Sequence, residues 1–150
     1  MSAKRTTPIK GEAWRAYFET TQLLTAELER RLKAGAGMDF GDYNILLVLS
    51  ESPEQRLRLG GLARAMAFGP NRLTYRLDVL ERRGWVRREP CPDDKRGLEA
   101  VLTEEGRRAF RKASLPHSRD VYEVFLDHLS DEQAQVLLEV FQPLRDRLTD

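Results

Sequence analysis

The segment of residues 69–102 constrains the fold more than any other part of this 150-residue chain. Its leucines recur at intervals of four and three, as the buried stripe of one helix requires, at Leu73, Leu77 and Leu80. Pro70 suits the first turn of this helix and Gly84 its end. Two short apolar runs follow, Trp85–Glu89 and Leu98–Leu102, separated by a turn rich in proline and aspartate. A basic helix followed by a two-stranded hairpin is the second half of a winged helix-turn-helix.

Helical patterns dominate the rest of the chain. Apolar residues three and four apart predict a long amphipathic helix over Glu12–Ala34, preceded by a polar, basic arm. The run YNILLVLSES, after a capping Asp39, is apolar nearly all round, which is typical of a helix buried on several sides. Further helices are predicted at 60–68, at about 103–129 with a kink or an interruption at Pro116, and from Ser130 onward. The fold class is therefore mainly α (α+β).

Charge is distributed unevenly along the sequence. Residues 56–100 hold eleven Lys/Arg and six Asp/Glu, a net charge of +5, whereas the other positions hold fourteen and eighteen, a net charge of −4. The total of +1 therefore conceals one basic segment within an acidic frame. This asymmetry is expected when one part of a protein meets a polyanion and the other part does not.

Several protein classes are not expected from this sequence. The single cysteine, Cys91, makes no metal-ligand pattern with His117 and His128, so we expect no metal and no cofactor. The chain has no nucleophile elbow and no phosphate-binding glycine loop, which argues against an enzyme. No window is apolar enough for a signal peptide or a membrane span, so we expect a cytoplasmic protein without a membrane partner.

The face opposite the leucines of the basic helix is polar. It displays Asn71, Arg72, Thr74, Tyr75 and Arg76. An arginine there can bind two acceptors on a guanine or a phosphate, and a tyrosine can pack on thymine methyl groups. Surface arginines of any protein can also be merely solvated. The surrounding turn and hairpin favour contact with double-stranded DNA over that reading.

The hairpin carries a second group of cations at its tip. Lys95 and Arg96 on a stiff two-stranded wing suit the narrow minor groove, where negative potential is concentrated. A hairpin turn made soluble by charge is the plainer alternative. Asp94 is expected to fix the shape of the wing by pairing with a nearby arginine such as Arg88.

The runs LTYRLDVLERRGWVRRE, CPDDKR and AVLTEEGR resemble the MarR family of bacterial transcription regulators. The matching features are a leucine-rich helix before a glycine, an arginine-ended strand, an Asp-x-Arg wing tip at Asp94–Arg96 and a Leu-Thr-x-x-Gly helix start at 102–106. Weaker resemblance extends upstream to DYNILLVLSES and downstream to HSRDVYEVFLDHLSDEQ. Gly69, where many members have serine, and Cys91, at a position that is often acidic, depart from the pattern.

The resemblance implies a homodimeric winged-helix regulator, expected to be a repressor, that binds a roughly palindromic operator. By that analogy the polar face of the basic helix (Asn71, Arg72, Thr74, Tyr75 and Arg76) faces the major groove and Arg96 faces the minor groove. A winged helix that contacts another protein, without DNA, is the alternative. That alternative keeps the same core pattern but does not require arginines on the helix face and at the wing tip together.

The amphipathic helices at both ends have apolar stripes without a partner in the chain. In the last helix this stripe is Leu137, Phe141, Leu144 and Leu148. Pairing with a second copy would bury it, so we expect long N- and C-terminal dimerisation helices. The predicted division is an arm and dimerisation helix at 1–37, a winged helix-turn-helix DNA-binding domain at 38–104, and C-terminal helices completing the dimerisation domain at 105–150.

The resemblance also raises the question of an effector, because many members of the family respond to small, often phenolic, ligands and some to cysteine oxidation. The candidates for lining a cavity for a small aromatic ligand are Trp14, Tyr17, Tyr43 and His117. Aromatic residues at helical spacing are also common in a plain core. Cys91 has acidic neighbours and no second cysteine to resolve an oxidised form, so an incidental surface thiol is expected.

Overall fold

The computed structural model describes residues 7–66 and 70–149, without the side chains of Pro70 and Asn71. The helices are α1 (Pro8–Ala36), α2 (Phe40–Glu51), α3 (Leu59–Met66), α4 (Pro70–Arg82), α5 (Glu104–Val124) and α6 (Asp131–Thr149). The strands are β1 (Arg56–Arg58), β2 (Val86–Cys91) and β3 (Asp94–Leu102). Short 3-10 turns at Pro53–Gln55 and Leu126–His128 lead into β1 and towards α6. The mainly α class with a small sheet is confirmed.

Local sequence signals set the ends of these helices. The Asp39 side chain accepts a hydrogen bond from the Asp42 N–H at 3.0 Å and caps α2, as predicted. The Thr103 hydroxyl accepts one from the Gly106 N–H at 3.0 Å and caps α5. Residues 130–133 form the expected capping box, in which the Ser130 and Gln133 side chains each accept from the other residue's N–H. Each cap supplies an acceptor or donor that the helix end lacks.

The core is built around α2, which contacts α1, α3, α4, α5, β1 and β3. Ile45, Leu46 and Leu49 of α2 are completely buried, consistent with the apolar run in the sequence. The predicted stripe of α4 is also buried, with Leu73 exposed by 3% and Leu77 and Leu80 by 0%. Each such leucine stabilises the fold by roughly 1.5–3 kcal/mol relative to an exposed one. Helix α4 is thus packed against α2 and its neighbours through its apolar face.

The sheet has the order β1-β3-β2 and is antiparallel throughout. In the wing, Val86 pairs with Leu102 and the register shifts between Pro90 and Cys91, after which Cys91 pairs with Asp94. This pairing makes both strands longer than the sequence indicates and leaves a turn of Pro92 and Asp93. Lys95 and Arg96 consequently lie in β3 near the tip, not in the turn itself.

Helices α1 and α5 differ in their bounds from the sequence-based expectation, whereas the end of α4 at Gly84 agrees with it. The first helix begins at Pro8, because proline's fixed φ and missing N–H suit the first helical turn, so the last residues expected in the arm are helical. The fifth helix continues through Pro116, where a kink or an interruption was expected, so Pro116 does not interrupt it, and the helix ends at Val124 instead of about Leu129. Gly37 and Gly84, with φ of 62° and 74°, end α1 and α4 in the left-handed conformation that glycine adopts without strain.

Helices α1 and α5 are joined by an ionic cluster around Arg31. Its guanidinium donates to Glu27 on its own helix at 2.7 Å and to Asp120 and Glu123 on α5, each at 3.1 Å. Hydrogen bonds from Arg30 and Arg31 lower the pKa of Glu27 from 4.5 to about 2. The cluster links the N-terminal helix to α5, the element that leads out of the wing.

Glu27→Gln is expected to make the protein's stability less dependent on acidic pH. The pKa of Glu27 is lower in the folded state than in the unfolded state, so its stabilising effect is complete above about pH 4.5 and is lost as the pH falls towards 2. Urea unfolding midpoints measured between pH 7 and pH 2.5 should therefore fall less steeply for the variant. Glu19→Gln, on the same helix, is the matched control. A variant curve parallel to that of the wild type would contradict this role for Glu27.

Candidate nucleic-acid interface

The outward face of α4 presents three of the five residues predicted to read DNA bases. Arg72, Thr74 and Tyr75 are exposed, Tyr75 by 62%. Because the leucines of the opposite stripe are buried, this face cannot turn inward without exposing the core. The Asn71 side chain and Gly69 lie outside the described residues. The geometry therefore offers a guanidinium, a hydroxyl and an aromatic ring within one helical turn.

Arg76 was expected to face the major groove with the other polar residues of α4, but its side chain does not point outward with them. Its side chain is 21% exposed and turns towards the first turn of α2, where Nη1 donates to Asp39 and, at 3.3 Å, to Asp42. The Asp42 side chain is only 4% exposed. A carboxylate at that depth is stable only when a partner compensates its charge, and Arg76 is that partner. We call Asp39, Asp42 and Arg76 the α2–α4 clasp.

The two aspartates of the clasp have different environments. Burial raises the pKa of Asp42, and the neighbouring charge of Asp39 raises it further. The pKa of Asp39 is lowered: partial burial opposes this, but the hydrogen bonds from Arg76 and from the Asp42 N–H outweigh it. Asp39 thus acts as an ionised helix cap, while the charge on Asp42 depends on Arg76.

A second arginine connects α4 to the end of α1. Both terminal nitrogens of Arg83 donate to the Gly37 carbonyl, at 3.0 and 3.1 Å. The guanidinium also lies 4.6 Å from the centre of the Trp85 ring, a cation–π arrangement. The α1–α2 connection is therefore attached to α4 at two points, by Arg76 and by Arg83. Sequence reasoning missed both attachments, because each partner lies more than thirty positions away in the chain.

A nearby arginine was predicted to pair with Asp94 in the wing, and the structure has one, but it is Arg58 and not Arg88, the example that the sequence suggested. The Asp94 carboxylate accepts from the Arg96 N–H at 3.0 Å and lies 3.8 Å from Arg58 of β1. Arg88 instead donates to Asp78 at 2.5 Å and to Glu81 at 2.6 Å, both on α4. The reason is that Arg88 lies on the face of β2 that packs on α4, away from the tip. Arg88 therefore holds the wing to α4, whereas Asp94 shapes the tip.

The side chains of Lys95 and Arg96 are exposed at the wing tip. Within residues 7–66 and 70–149 neither forms an ion pair, although arginines elsewhere in the sheet do. Arg56 pairs with Glu89 at 2.7 Å and with Glu99 at 3.2 Å. The tip cations are thus available to an external anion, whereas the Arg56 charge is compensated internally.

A large apolar groove lies between the N-terminal half of α1 and α6. It has a volume of about 820 Å³, and its walls include Ala16, Tyr17, Leu24, Leu137 and Phe141. Leu144 and Leu148, the other predicted dimerisation residues, lie further along α6 and are 38% and 78% exposed. None of the described helices has both the length and the apolar character needed to cross a membrane. The end helices therefore expose an extended apolar surface, which is typical of a protein–protein contact.

The four residues proposed to line an effector cavity do not come together. Tyr43 and His117 are in contact, with ring centres 4.5 Å apart, but Trp14 is 63% exposed and Tyr17 contacts Phe141 at 4.9 Å in the apolar groove. The reason is that the first two lie on α2 and α5, while the others lie near the distal end of α1. The sequence-based set therefore divides between two places.

The His117 side chain borders a small cavity between α1 and α5. The cavity has a volume of about 50 Å³, and its walls include Arg31, Lys112, Pro116 and Asp120. Burial lowers the pKa of His117, so the imidazole is held neutral. Its Nδ1 is buried and has no hydrogen-bond partner among the described residues. A cavity of this size is well below the roughly 300 Å³ of a typical ligand site.

Cys91 is not the surface thiol that the sequence suggests. It is 2% exposed, and a Cβ built on Gly97 would lie 3.0 Å from its Sγ. The bulge before Cys91 turns its side chain beneath the hairpin, where the missing side chain of Gly97 leaves room for it. Cys91 is therefore a buried packing residue of the wing.

Comparison with known proteins agrees with this arrangement. A family model described as MarR family matches residues 36–97. The HTH-type transcriptional repressor YetL of Bacillus subtilis is 30% identical over 116 residues, which cover 77% of this chain and 69% of YetL. Sco3205, a MarR family transcriptional regulator from Streptomyces coelicolor solved in complex with DNA, is 38% identical with a TM-score of 0.92, covering 97% of this chain and 92% of that one.

AbsC, another MarR family transcriptional regulator from Streptomyces coelicolor, is 37% identical with a TM-score of 0.91 and matches 97% of this chain and 98% of its own. Likeness of this extent covers the end helices as well as the winged helix-turn-helix. The resemblance that rested on the wing and the helices beside it is thus confirmed over nearly the whole chain. The protein belongs to the MarR family of transcriptional regulators.

Proposed function

We propose that this protein is a cytoplasmic homodimeric repressor that binds a pseudo-palindromic site in double-stranded DNA. The observation that carries the proposal is the pair of uncompensated cations, Lys95 and Arg96, on a wing that Arg88 fastens to the exposed face of α4. If the wing tip were only a solvated surface, nothing would explain why its cations are unpaired while neighbouring arginines form ion pairs. The DNA complex of the related Sco3205 supports the same conclusion.

The two parts of this surface suit different parts of the duplex. Arg72, Thr74 and Tyr75 lie on one exposed helix face, and a helix of this width fits the major groove. The wing tip projects two cations, which suit the negative potential of the minor groove or its flanking phosphates. Base readout therefore belongs to α4, and the wing contributes mainly affinity.

The apolar groove between α1 and α6 supports the dimer. A stable homodimer buries an apolar surface formed by the same residues of both copies, and the groove offers such a surface at the end away from α4. In a two-fold dimer the recognition helices would lie about one DNA turn apart, roughly 34 Å. Occupation of a promoter by such a dimer would exclude polymerase.

A small aromatic effector stays a prediction. The cavity beside His117 would have to enlarge before it could hold an aromatic ring, because its volume is only about 50 Å³. If α1 and α5 separated there, the unpartnered Nδ1 of His117 would supply a polar contact for a ligand. Coupling of roughly 1–3 kcal/mol between such a site and the DNA surface would be enough to release the operator.

Selection from random duplex DNA tests the proposed function. We expect the recovered sites to share two half-sites related by two-fold symmetry, with centres about 10 base pairs apart. Absence of enrichment would contradict DNA recognition and would favour the protein-contact alternative. The selected duplex then serves as the operator in the binding experiments below.

Arg96→Ala is expected to weaken operator binding and to reduce its salt dependence. Loss of one contact to a phosphate or to the groove lowers the slope of log K against log [salt] by roughly 1, because one fewer counterion is released. Fluorescence anisotropy between 50 and 300 mM salt measures both quantities. Arg119→Ala, an exposed arginine in the middle of α5, is the control and should change neither. Unchanged affinity and slope for Arg96→Ala would remove the wing tip from the interface.

A further inference from the structure

Two kinds of contact attach α4 to the rest of the protein, namely apolar packing of its leucines and ion pairs of Arg76. Apolar packing of the α4 leucines is non-directional, so it permits small rotations and shifts of the helix. Hydrogen-bonded ion pairs have defined directions and lengths. The α2–α4 clasp is such a contact, and it joins the start of α2 to the middle of α4.

We propose that Arg76 is a positioning residue and not a DNA contact: held by Asp39 and Asp42, it fixes α4 against the start of α2 in the orientation that operator binding requires. This inference rests on the proposed DNA-binding function. It assigns to Arg76 a task different from that of Arg72 and Tyr75, although all three lie on the same helix. It also brings into the function two aspartates that no DNA-binding pattern would include.

The charges of the clasp argue against a direct role in DNA binding. Two carboxylates surround one guanidinium, so the cluster has a net negative charge when both aspartates are ionised. A phosphate approaching Arg76 would therefore meet Asp39, which is 24% exposed. Moving Arg76 onto the DNA would also leave the carboxylate of Asp42 buried without its partner, which is strongly unfavourable.

Packing confines Arg76 as well. A Cβ built on Gly41 would lie 3.2 Å from both Cζ and Nε of the Arg76 guanidinium, so the guanidinium lies directly against the backbone of α2. Gly41 thus provides the space that the clasp occupies. About two turns further along the chain, just after α4 ends, Arg83 binds the Gly37 carbonyl just before α2. With one attachment in the middle of α4 and another just beyond its end, both the rotation and the tilt of α4 are constrained.

The direction in which Asp42→Ala changes operator affinity distinguishes a positioning role of Arg76 from a direct contact with DNA. If electrostatics alone mattered, Asp42→Ala would remove a negative charge from the DNA-binding domain and strengthen operator binding. If the clasp positions α4, Asp42→Ala should weaken binding by about tenfold, as Arg76→Gln should. Asp39→Ser, which retains an oxygen to cap α2, should also weaken operator binding.

The experiment uses the full-length protein and the operator recovered from random DNA. We expect Arg76→Gln and Asp42→Ala each to lower affinity about tenfold, with the wild-type salt slope, and the double variant to lose no more than either single variant. The loss should be similar for operators altered at each base position. Arg119→Gln is the charge-matched control, and circular dichroism confirms that each variant is folded.

Several results would overturn the inference. A salt slope reduced by about one for Arg76→Gln would make it a phosphate contact, and loss confined to one base position would make it a base contact. Stronger or unchanged binding by Asp42→Ala would also exclude a positioning role. If Arg76→Gln does not fold, the two aspartate variants decide the question. Failure of the wild type to select any DNA site would instead contradict the proposed function itself.

Discussion

Gly106→Ala is expected to destabilise the protein by roughly 3 kcal/mol, the upper end of the usual range for forced overpacking, because the atoms it meets are rigid. A Cβ at this position would lie 2.1 Å from the Trp85 carbonyl oxygen and 2.8 Å from its carbonyl carbon. Both are backbone atoms, so no side-chain rotation can relieve the contact. The first turn of α5 would have to move away from the wing. This movement would break the hydrogen bond that the Thr103 N–H donates to the Trp85 carbonyl oxygen.

Chemical denaturation of the two proteins measures this effect, and Gly35→Ala is the matched control. Gly35 lies in α1 with no atom within 4 Å of its added Cβ, so alanine there should stabilise by up to about 1 kcal/mol through helix propensity. The two glycine-to-alanine changes should therefore have opposite signs. Equal stabilities for Gly106→Ala and the wild type would mean that α5 does not contact the base of the wing as closely as described.

Phe141→Asp is expected to produce monomers and to lower operator affinity by at least about 100-fold. Phe141 contacts Tyr17 across the apolar groove, and a carboxylate there could not be buried against a second copy without a large desolvation cost. A monomer can occupy only one half-site and loses the advantage of linked binding. Sedimentation equilibrium measures the assembly, and anisotropy with the selected operator measures the binding.

The control for this variant is Gln135→Asp, which introduces the same charge at an exposed polar position of the same helix. It should remain dimeric and bind DNA as the wild type does. If Phe141→Asp is still a dimer, the groove between α1 and α6 is not the interface and the second copy pairs elsewhere. If it is monomeric but binds with wild-type affinity, the operator is read by single protomers.

Helix α4 shows most clearly which features the sequence predicted and which features depend on the tertiary structure. The intervals among Leu73, Leu77 and Leu80 predicted which side is buried, because a helix repeats every 3.6 residues whatever surrounds it. The same periodicity placed Arg76 on the outward face. Its actual direction depends on Asp39 and Asp42, which come near it only when α2 packs on α4.

The wing shows the same distinction. Proline, aspartate and glycine between two apolar runs predicted a hairpin with Lys95 and Arg96 at its tip. The register shift after Pro90, however, decided that Cys91 is buried and that the strands continue to the turn. A bulge depends on how the two paired strands pack against the core, so the sequence of one strand does not predict it.

The sequence by itself determined the winged helix-turn-helix, its helix caps, its basic segment and the unpartnered apolar stripes at the chain ends. These features follow from interactions within a few residues, or from composition, and they hold in any surroundings. Only the tertiary structure decided the partners of Arg76, Arg83 and Arg88 and the separation of Tyr17 from His117. Such pairings join positions distant in the chain, and packing of the apolar faces selects which charged and aromatic side chains meet.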